Sequence, residues 1–203
     1  MRLLAIETAT EACSIALFDN GVLLDRRHEV LGRGHAERLI PFIADLPGRG
    51  RADEIRVSLG PGSFTGVRIG LAAARALGLA WGARVVGFPT MALVAVTAQV
   101  RRPGPISICM NGGHGEYFIQ NFSADAQPET EARSLPPESA LAELRHDVVA
   151  GNRAGDLAAI SEGRIAAMDV LPDAANVPSL PENCLTDRLS PIYGRGPDAK
   201  LPQ

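Results

Sequence analysis

Hydrophobic residues near the start of the chain occur in short runs that are typical of strands. Residues 3–8 and 13–18 are two such runs, and Asn20-Gly21 before the apolar residues 22–24 is a tight-hairpin signal. The chain therefore begins with a predicted three-stranded meander.

Helical and strand spacings then alternate through the rest of the first half. The predicted elements are a helix over 35–46, a strand over 55–59, a helix over 63–81, a strand over 85–88 and a helix over 90–100. Pro47-Gly48 ends the first helix, and Ser63 is placed to cap the second. These elements predict an α/β lobe, a mixed sheet with helices.

The segment Arg101 to Pro105 breaks this pattern and predicts a boundary between a lobe at 1–102 and a lobe at 103–203. The second lobe repeats the first in a reduced form. Its predicted elements are a strand at 106–110, a turn at 111–113, a strand at 117–122, a helix at 138–144, a strand at 148–151 and a weak helix at 157–160. From residue 176 onward, Pro and Gly predict a loop that lies against the body.

Composition narrows the class of protein. The 203 residues are 46% hydrophobic, and their formal net charge is −3. Binding of nucleic-acid phosphates needs an excess of clustered cations, so this charge disfavours a protein that binds nucleic acid by itself. Lys200 is the only lysine, so neither a Walker-type phosphate loop nor a Schiff-base lysine is expected in the body of the chain.

The cysteines and the apolar runs indicate where the protein works. Three cysteines without CxxC spacing predict neither a disulfide framework nor a zinc ribbon. The longest uncharged apolar run, 85–100, contains Pro89 and is shorter than the roughly 20 residues of a membrane span. The first residues lack the layout of a signal peptide. We expect a soluble, cytoplasmic protein without a membrane partner.

Glycines surround the start of the long helix. Gly60, Gly62 and Ser63 join a strand to a helix N-terminus, a geometry that favours an anion. The simpler interpretation is that the glycines turn the chain and Ser63 caps the helix, and without a nearby lysine we favour it.

Small residues recur every fourth position along that helix, at Gly66, Gly70, Ala74, Gly78 and Gly82. Interior glycines cost about 1 kcal/mol each relative to alanine, so this small-residue ridge predicts something packed closely on it. The candidates are the helix at 35–46 of the same chain and a helix of a partner protein.

Polar residues at the predicted hairpins are the remaining candidates for chemistry. Glu7, Thr8 and Thr10 could face a nucleotide and its metal, although exposed turn chemistry is the commoner role of such residues. Asn111 and Gly112 repeat the arrangement in the second lobe, where an amide replaces the expected acid.

The histidines predict no metal site. His28, His35, His114 and His146 show no i, i+3 or i, i+4 pair. No GxSxG or HExxH motif and no paired Cys/His set is present, so hydrolase interpretations have no support.

Two lobes that each begin with a polar hairpin resemble the ASKHA superfamily, the ribonuclease-H-like fold of actin, Hsp70 and sugar kinases. Longer segments resemble the TsaB (YeaZ) family, which is needed for threonylcarbamoyladenosine in tRNA. They are LLAIETATEACSIALFDNG at 3–21, HAERLIPFI at 35–43 and SLGPGSFTGVRIGLAAARALGLAWGARVVGFPT at 58–90. The resemblance is thinner in the second lobe, at GEYF (115–118), VVAGN (148–152) and SPIYGRGPDAK (190–200).

This resemblance implies a subunit that is not itself an enzyme. TsaB proteins pair with TsaD, the catalytic paralogue, as a heterodimer, work with the ATPase TsaE in the complete system, and meet tRNA only through the complex. Where TsaD carries two metal-binding histidines, this chain reads GFPTMALVA at 87–95, without a histidine. No cofactor of its own is implied, and ATP would bind only weakly or at the complex interface.

The resemblance also implies where the partner binds. The expected partner-binding residues lie on the two first-lobe helices: Leu39, Phe42, Gly66, Arg68, Gly70, Leu71, Ala74, Arg75 and Gly78. Two rival interpretations remain, a degenerate ASKHA phosphotransferase with its own ATP site and a metal-dependent TsaD-like enzyme. A homodimer of the isolated chain is left open.

Overall fold

A computed structural model describes residues 1–194. The first half contains five strands and three helices, in this order: β1 (Arg2–Glu7), β2 (Ala12–Asp19), β3 (Val22–Val30), α1 (His35–Asp45), β4 (Glu54–Ser58), α2 (Phe64–Trp81), β5 (Arg84–Phe88) and α3 (Thr90–Arg101). The elements predicted for this half are confirmed, with small shifts at their ends and a longer β3.

The first sheet has the strand order β3-β2-β1-β4-β5. The first three strands form the antiparallel meander, while β4 and β5 run parallel to β1. Asn20 and Gly21 both have positive φ in the first turn, which is the backbone that an Asn-Gly hairpin requires. Because β1 and β4 run parallel, their carboxyl ends lie at the same edge of the sheet, and the glycine loop begins there.

The second half contains a matching but smaller unit. Its elements are β6 (Ile106–Gly113), β7 (Glu116–Phe122), β8 (Arg133–Leu135), α4 (Pro137–Ala142), β9 (Val148–Ala150), α5 (Ala154–Ile160) and β10 (Ala166–Met168). They form a second five-stranded sheet with the order β10-β9-β6-β7-β8. The three-residue strands β8 and β10 were not predicted.

The turn predicted at 111–113 is wrong. Asn111 and Gly113 continue strand β6 and pair with β7, with a register shift between them, and the chain reverses at His114 and Gly115 instead. A bulge accommodates the extra residue without ending the ladder. Asn111 and Gly112 therefore sit on a strand end, not in a loop tip.

Helices and sheets alternate in five layers. Helices α1 and α2 cover the outer face of the first sheet, and α3 lies between the two sheets in a core drawn from both lobes. Helices α4 and α5 cover the far face of the second sheet. Because residues 90–98 of α3 are all buried, the two lobes share one hydrophobic interior.

The chain after β10 returns to the first lobe. Val170, Val177 and Cys184 join the central core, and Thr186 bridges to Gly87 of β5. This segment is mostly irregular and lies against the body, as predicted, apart from two short 3-10 turns. The lobe boundary at residue 102 stays a prediction, but part of the second half packs on the first lobe.

No helix within residues 1–194 is both long and apolar enough to cross a bilayer.

Candidate functional site

The small-residue ridge of α2 faces the protein's own sheet. A Cβ at Gly66 would strike the backbone carbonyl of Thr8, and one at Gly70 would strike the Thr8 hydroxyl. At Gly78 it would lie 2.5 Å from Val85 Cγ2. The glycines therefore allow α2 to approach strands of the first sheet, not another helix.

This geometry corrects most of the expected partner-binding set. Gly66, Gly70, Ala74 and Gly78 are buried by the chain itself, so the hypothesis that they meet a partner helix is wrong. The nearest atoms at the three glycines come from β1, β4, β5 and the loops beside them, and none comes from α1. Ala74 shares a core cluster with Leu39 and Phe42 of α1, so packing of α1 on part of the ridge stays a prediction. Leu39, Phe42 and Leu71 are also core residues.

A different side of the same two helices is open. Leu79 on α2 is 89% exposed and Ile40 on α1 is 50% exposed. Ala72 and Ala76 on α2 and Ala36 on α1 are exposed small residues beside them. We call these five residues the outer face. Because large exposed aliphatic side chains here are surrounded by small ones, this face is smooth enough for another helix to lie on it.

Arg68 and Arg75 are exposed, as their expected role requires, and both contact the returning C-terminal segment. The Arg75 guanidinium donates to the Leu189 carbonyl at 2.6 Å, and Arg68 donates to the Tyr193 hydroxyl at 3.3 Å. Arg68 also stacks 3.6 Å from the centre of the Phe64 ring. These contacts hold both arginines along one edge of the outer face.

A cleft of about 420 Å³ lies between the lobes beside the start of α2. Four of the expected nucleotide-contact residues line it: Thr10, Gly62, Asn111 and Gly112. Glu7, Thr8 and Gly60 do not line the cleft, because all three are buried. Ser63 caps α2 through a 3.2 Å bond from the Gly66 amide, so the capping interpretation of the loop is confirmed.

Side chains from the two lobes join across this cleft. The Asn152 amide donates to both carboxylate oxygens of Glu11, at 3.0 and 2.8 Å. The Asn152 carbonyl oxygen accepts from the Asn111 backbone amide at 3.0 Å. We call this three-residue contact the clasp. Nothing in the hydrophobic pattern marked Glu11 or Asn152, although VVAGN in the second lobe ends on Asn152.

Glu7 is buried, although polar residues at a predicted hairpin are usually exposed. Its side chain is fully buried, and burial raises the pKa of its carboxyl to about 7. One carboxyl oxygen, Oε1, accepts from the Ala9 amide at 2.5 Å, while Oε2 has no hydrogen-bond partner. Thr8 and Thr10 are buried as well. The interpretation of this segment as exposed turn chemistry is therefore wrong.

Two of the histidines contact other groups of the protein. His35 Nε2 is 3.2 Å from the Ala12 carbonyl oxygen, and His146 pairs with Glu129 at 2.8 Å. Within residues 1–194, no three His, Cys, Asp or Glu side chains are grouped so that they could hold a metal ion. The three cysteines are buried thiols.

Two mixed sheets, each begun by an antiparallel hairpin and joined through a shared helix, define a two-lobed α/β protein of the actin-like ASKHA class. Comparison with solved structures agrees. The chain matches "YeaZ from Pseudomonas aeruginosa" with a TM-score of 0.81 and 27% identity, over 95% of this chain and 99% of that one.

Sequence comparison gives the family. The family model described as "TsaD: tRNA N6-adenosine threonylcarbamoyltransferase" matches residues 28–136, more than half of the chain. The tRNA threonylcarbamoyladenosine biosynthesis protein TsaB of Escherichia coli is 35% identical over 68% of this chain, and that of Haemophilus influenzae is 39% identical over 47%. The chain belongs to this family, in its TsaB branch.

The matches cover 64% and 42% of the lengths of those two relatives. The resemblance noted at residues 190–200 lies only partly within the described chain, since residues 195–200 are outside it.

Proposed function

We propose that this protein is a non-catalytic subunit that binds TsaD and supports threonylcarbamoyl transfer to adenosine in tRNA. Membership of the TsaB branch carries the proposal, because the curated relatives that match are named for threonylcarbamoyladenosine biosynthesis. TsaE and tRNA are proposed partners of the complete complex, and the cytoplasm is its proposed location.

The outer face of α1 and α2 is the proposed surface for TsaD. Leu79 projects from the last turn of α2 with an exposed fraction of 89%, and together with the exposed Ile40, Ala36, Ala72 and Ala76 it gives this side of the two helices an apolar surface. Arg68 and Arg75 lie along one edge, where they could reach acidic groups of TsaD. An apolar centre with a charged edge is the usual anatomy of a protein interface.

A non-catalytic role fits the cleft. A catalytic acid must reach the reacting atoms, but Glu7 is fully buried. Its counterpart in the second lobe, Asn111, carries a neutral amide that supplies neither a base nor a strong cation ligand. Any nucleotide that binds here would therefore be held by Thr10, Gly62 and Gly112 without being turned over.

The test places a charge on the outer face. Leu79→Glu introduces a carboxylate that would be buried unpaired in the complex, so we expect affinity for TsaD to fall at least 30-fold, which is about 2 kcal/mol. Binding would be measured by titration calorimetry with purified TsaD. Threonylcarbamoyladenosine would be measured in tRNA from cells that carry only the variant, and we expect it to be lost.

The matched control is Ile160→Glu, since Ile160 is an exposed aliphatic residue, 43% accessible, in α5 on the far side of the second lobe. This variant should bind TsaD normally. Equal binding by both variants would refute the placement of the surface. Normally modified tRNA in cells without the protein would refute the function itself.

A further inference from the structure

We propose that Glu7 is a pH-sensitive latch for the turn at residues 8–11, which forms one wall of the cleft between the lobes. The proposal concerns a buried carboxyl group that the proposed function does not use, and it does not depend on which partner the protein binds.

The free oxygen of the Glu7 carboxyl has one polar neighbour. Glu7 Oε2 and the hydroxyl of Ser58 are both buried and both lack a hydrogen-bond partner. They belong to the last residues of the neighbouring parallel strands β1 and β4. A buried polar atom without a partner is costly, and a hydrogen bond between these two groups would satisfy both atoms, with Oε2 as the donor when Glu7 is protonated and the Ser58 hydroxyl as the donor when Glu7 is ionised.

The groups around Glu7 supply no positive charge to its carboxylate. The groups near it are the Ser58 hydroxyl and, on β2, Cys13 and Ser14, while Asp173 contacts Ser14 and pairs with Arg26. None of them is a cation placed against Glu7. Ionisation would therefore leave a negative charge in a dry interior, which agrees with a pKa raised to about 7 by burial.

The turn after Glu7 transmits its state to both lobes. The Ala9 amide donates to Glu7, and the Ala9 carbonyl accepts from the Ser63 amide at 2.7 Å. The Thr8 hydroxyl donates to the Gly66 carbonyl at 2.8 Å. Two residues after Ala9, the Glu11 carboxylate holds Asn152 of the second lobe.

A change at Glu7 therefore has a short route to the clasp. When the carboxyl ionises, the Ser58 hydroxyl can donate to it, but the charge has no cation beside it, so the carboxylate must gain water or move toward solvent. Either response displaces the Ala9 amide, and with it the turn that carries Glu11. The clasp is tight when Glu7 is protonated and looser when it is ionised, so the cleft opens as the pH rises through neutrality.

The test follows both ends of the latch by NMR. His114 lines the same cleft and is replaced by Gln in every sample, so that its own titration cannot move the signals. In this background the Glu7 carboxyl carbon should titrate near pH 7, and the Asn152 side-chain amide should shift with the same midpoint. Glu7→Gln should abolish the Asn152 transition. Glu37→Gln, at an exposed residue of α1, should leave it unchanged.

Two results would overturn the latch. One is titration of Glu7 at about 4.3, the ordinary value for glutamate. The other is an Asn152 transition that is absent, has a different midpoint or persists in Glu7→Gln. If Glu7→Gln does not fold, the test rests on the background protein that retains Glu7. The latch requires the titration midpoints of Glu7 and Asn152 to coincide in that protein.

Discussion

A single added methyl group at Gly66 should measure how closely α2 approaches the first sheet. In Gly66→Ala, the new Cβ would overlap the backbone carbonyl of Thr8 and lie 3.1 Å from the Thr8 carbonyl carbon. That carbonyl belongs to a buried residue that also bonds α2 through its side chain. The clash therefore cannot be relieved by rotating a flexible side chain.

The magnitude follows from two opposing effects. Replacing Gly by Ala in a helix favours folding by up to about 1 kcal/mol. Forcing an extra carbon into a closely packed site costs about 1–3 kcal/mol, and backbone contacts belong at the upper end. We expect Gly66→Ala to lower the free energy of unfolding by about 2 kcal/mol, although the intrinsic helix preference acts in the other direction.

Gly155 provides a matched control, because it also lies in the first turn of a helix, α5, and a Cβ there would meet nothing within 4 Å. Gly155→Ala should be neutral or stabilising by up to about 1 kcal/mol. Both variants would be unfolded in urea, and the free energies compared by linear extrapolation at equal m-values. The two substitutions are chemically identical, so their difference isolates the packing.

The reasoning would be refuted by a Gly66→Ala variant as stable as the unaltered protein. That result would mean that α2 can move off the sheet at no cost. It would also reopen the possibility that the ridge meets another protein.

Two further predictions concern stability. The folded pKa of Glu7 is raised from 4.5 to about 7, so its contribution to stability is complete below pH 4.5 and is lost as the pH rises to about 7, a fall of about 3 kcal/mol. Glu7→Gln should remove this fall in urea titrations between pH 4.5 and 8, and an unchanged pH profile would contradict the assignment. Ser63→Ala removes the α2 cap and should lower the free energy of unfolding by about 1 kcal/mol in the same assay. An unchanged free energy of unfolding would contradict this and would mean that water fully replaces the hydroxyl.

The first lobe could be predicted from the sequence because its local signals agree with one another. Asn20-Gly21 sets the hairpin, Ser63 caps α2, and Pro47-Gly48 ends α1. Only the length of β3 was underestimated. The second half of β3 is charged and shows no apolar pattern. An edge strand can still form, because it only has to hydrogen-bond to the backbone of its neighbour, and β3 pairs with β2 as far as Val30.

The second lobe gave weaker signals. Strands β8 and β10 have three residues each, too few for any hydrophobic period to appear. Asn111-Gly112-Gly113 has the composition of a turn, yet it extends β6 because pairing with β7 overrides local preference. Glu7 was misplaced for a related reason, since most glutamates are exposed and no pattern identifies the rare buried one.

Four-residue spacing of small side chains shows that something approaches α2 closely, but it does not show what. Since the sheet occupies that side, the proposed contact of TsaD with α2 would use the opposite side, where Leu79 and Ala76 are exposed. The two sides can therefore be tested separately. Changes at Gly66 should alter the free energy of unfolding, whereas Leu79→Glu should alter association with TsaD and leave unfolding within about 0.5 kcal/mol, because it touches no core residue. A Leu79→Glu variant that loses both stability and binding would contradict this separation. It would show that the outer face contributes to the fold and is not a free surface for a partner.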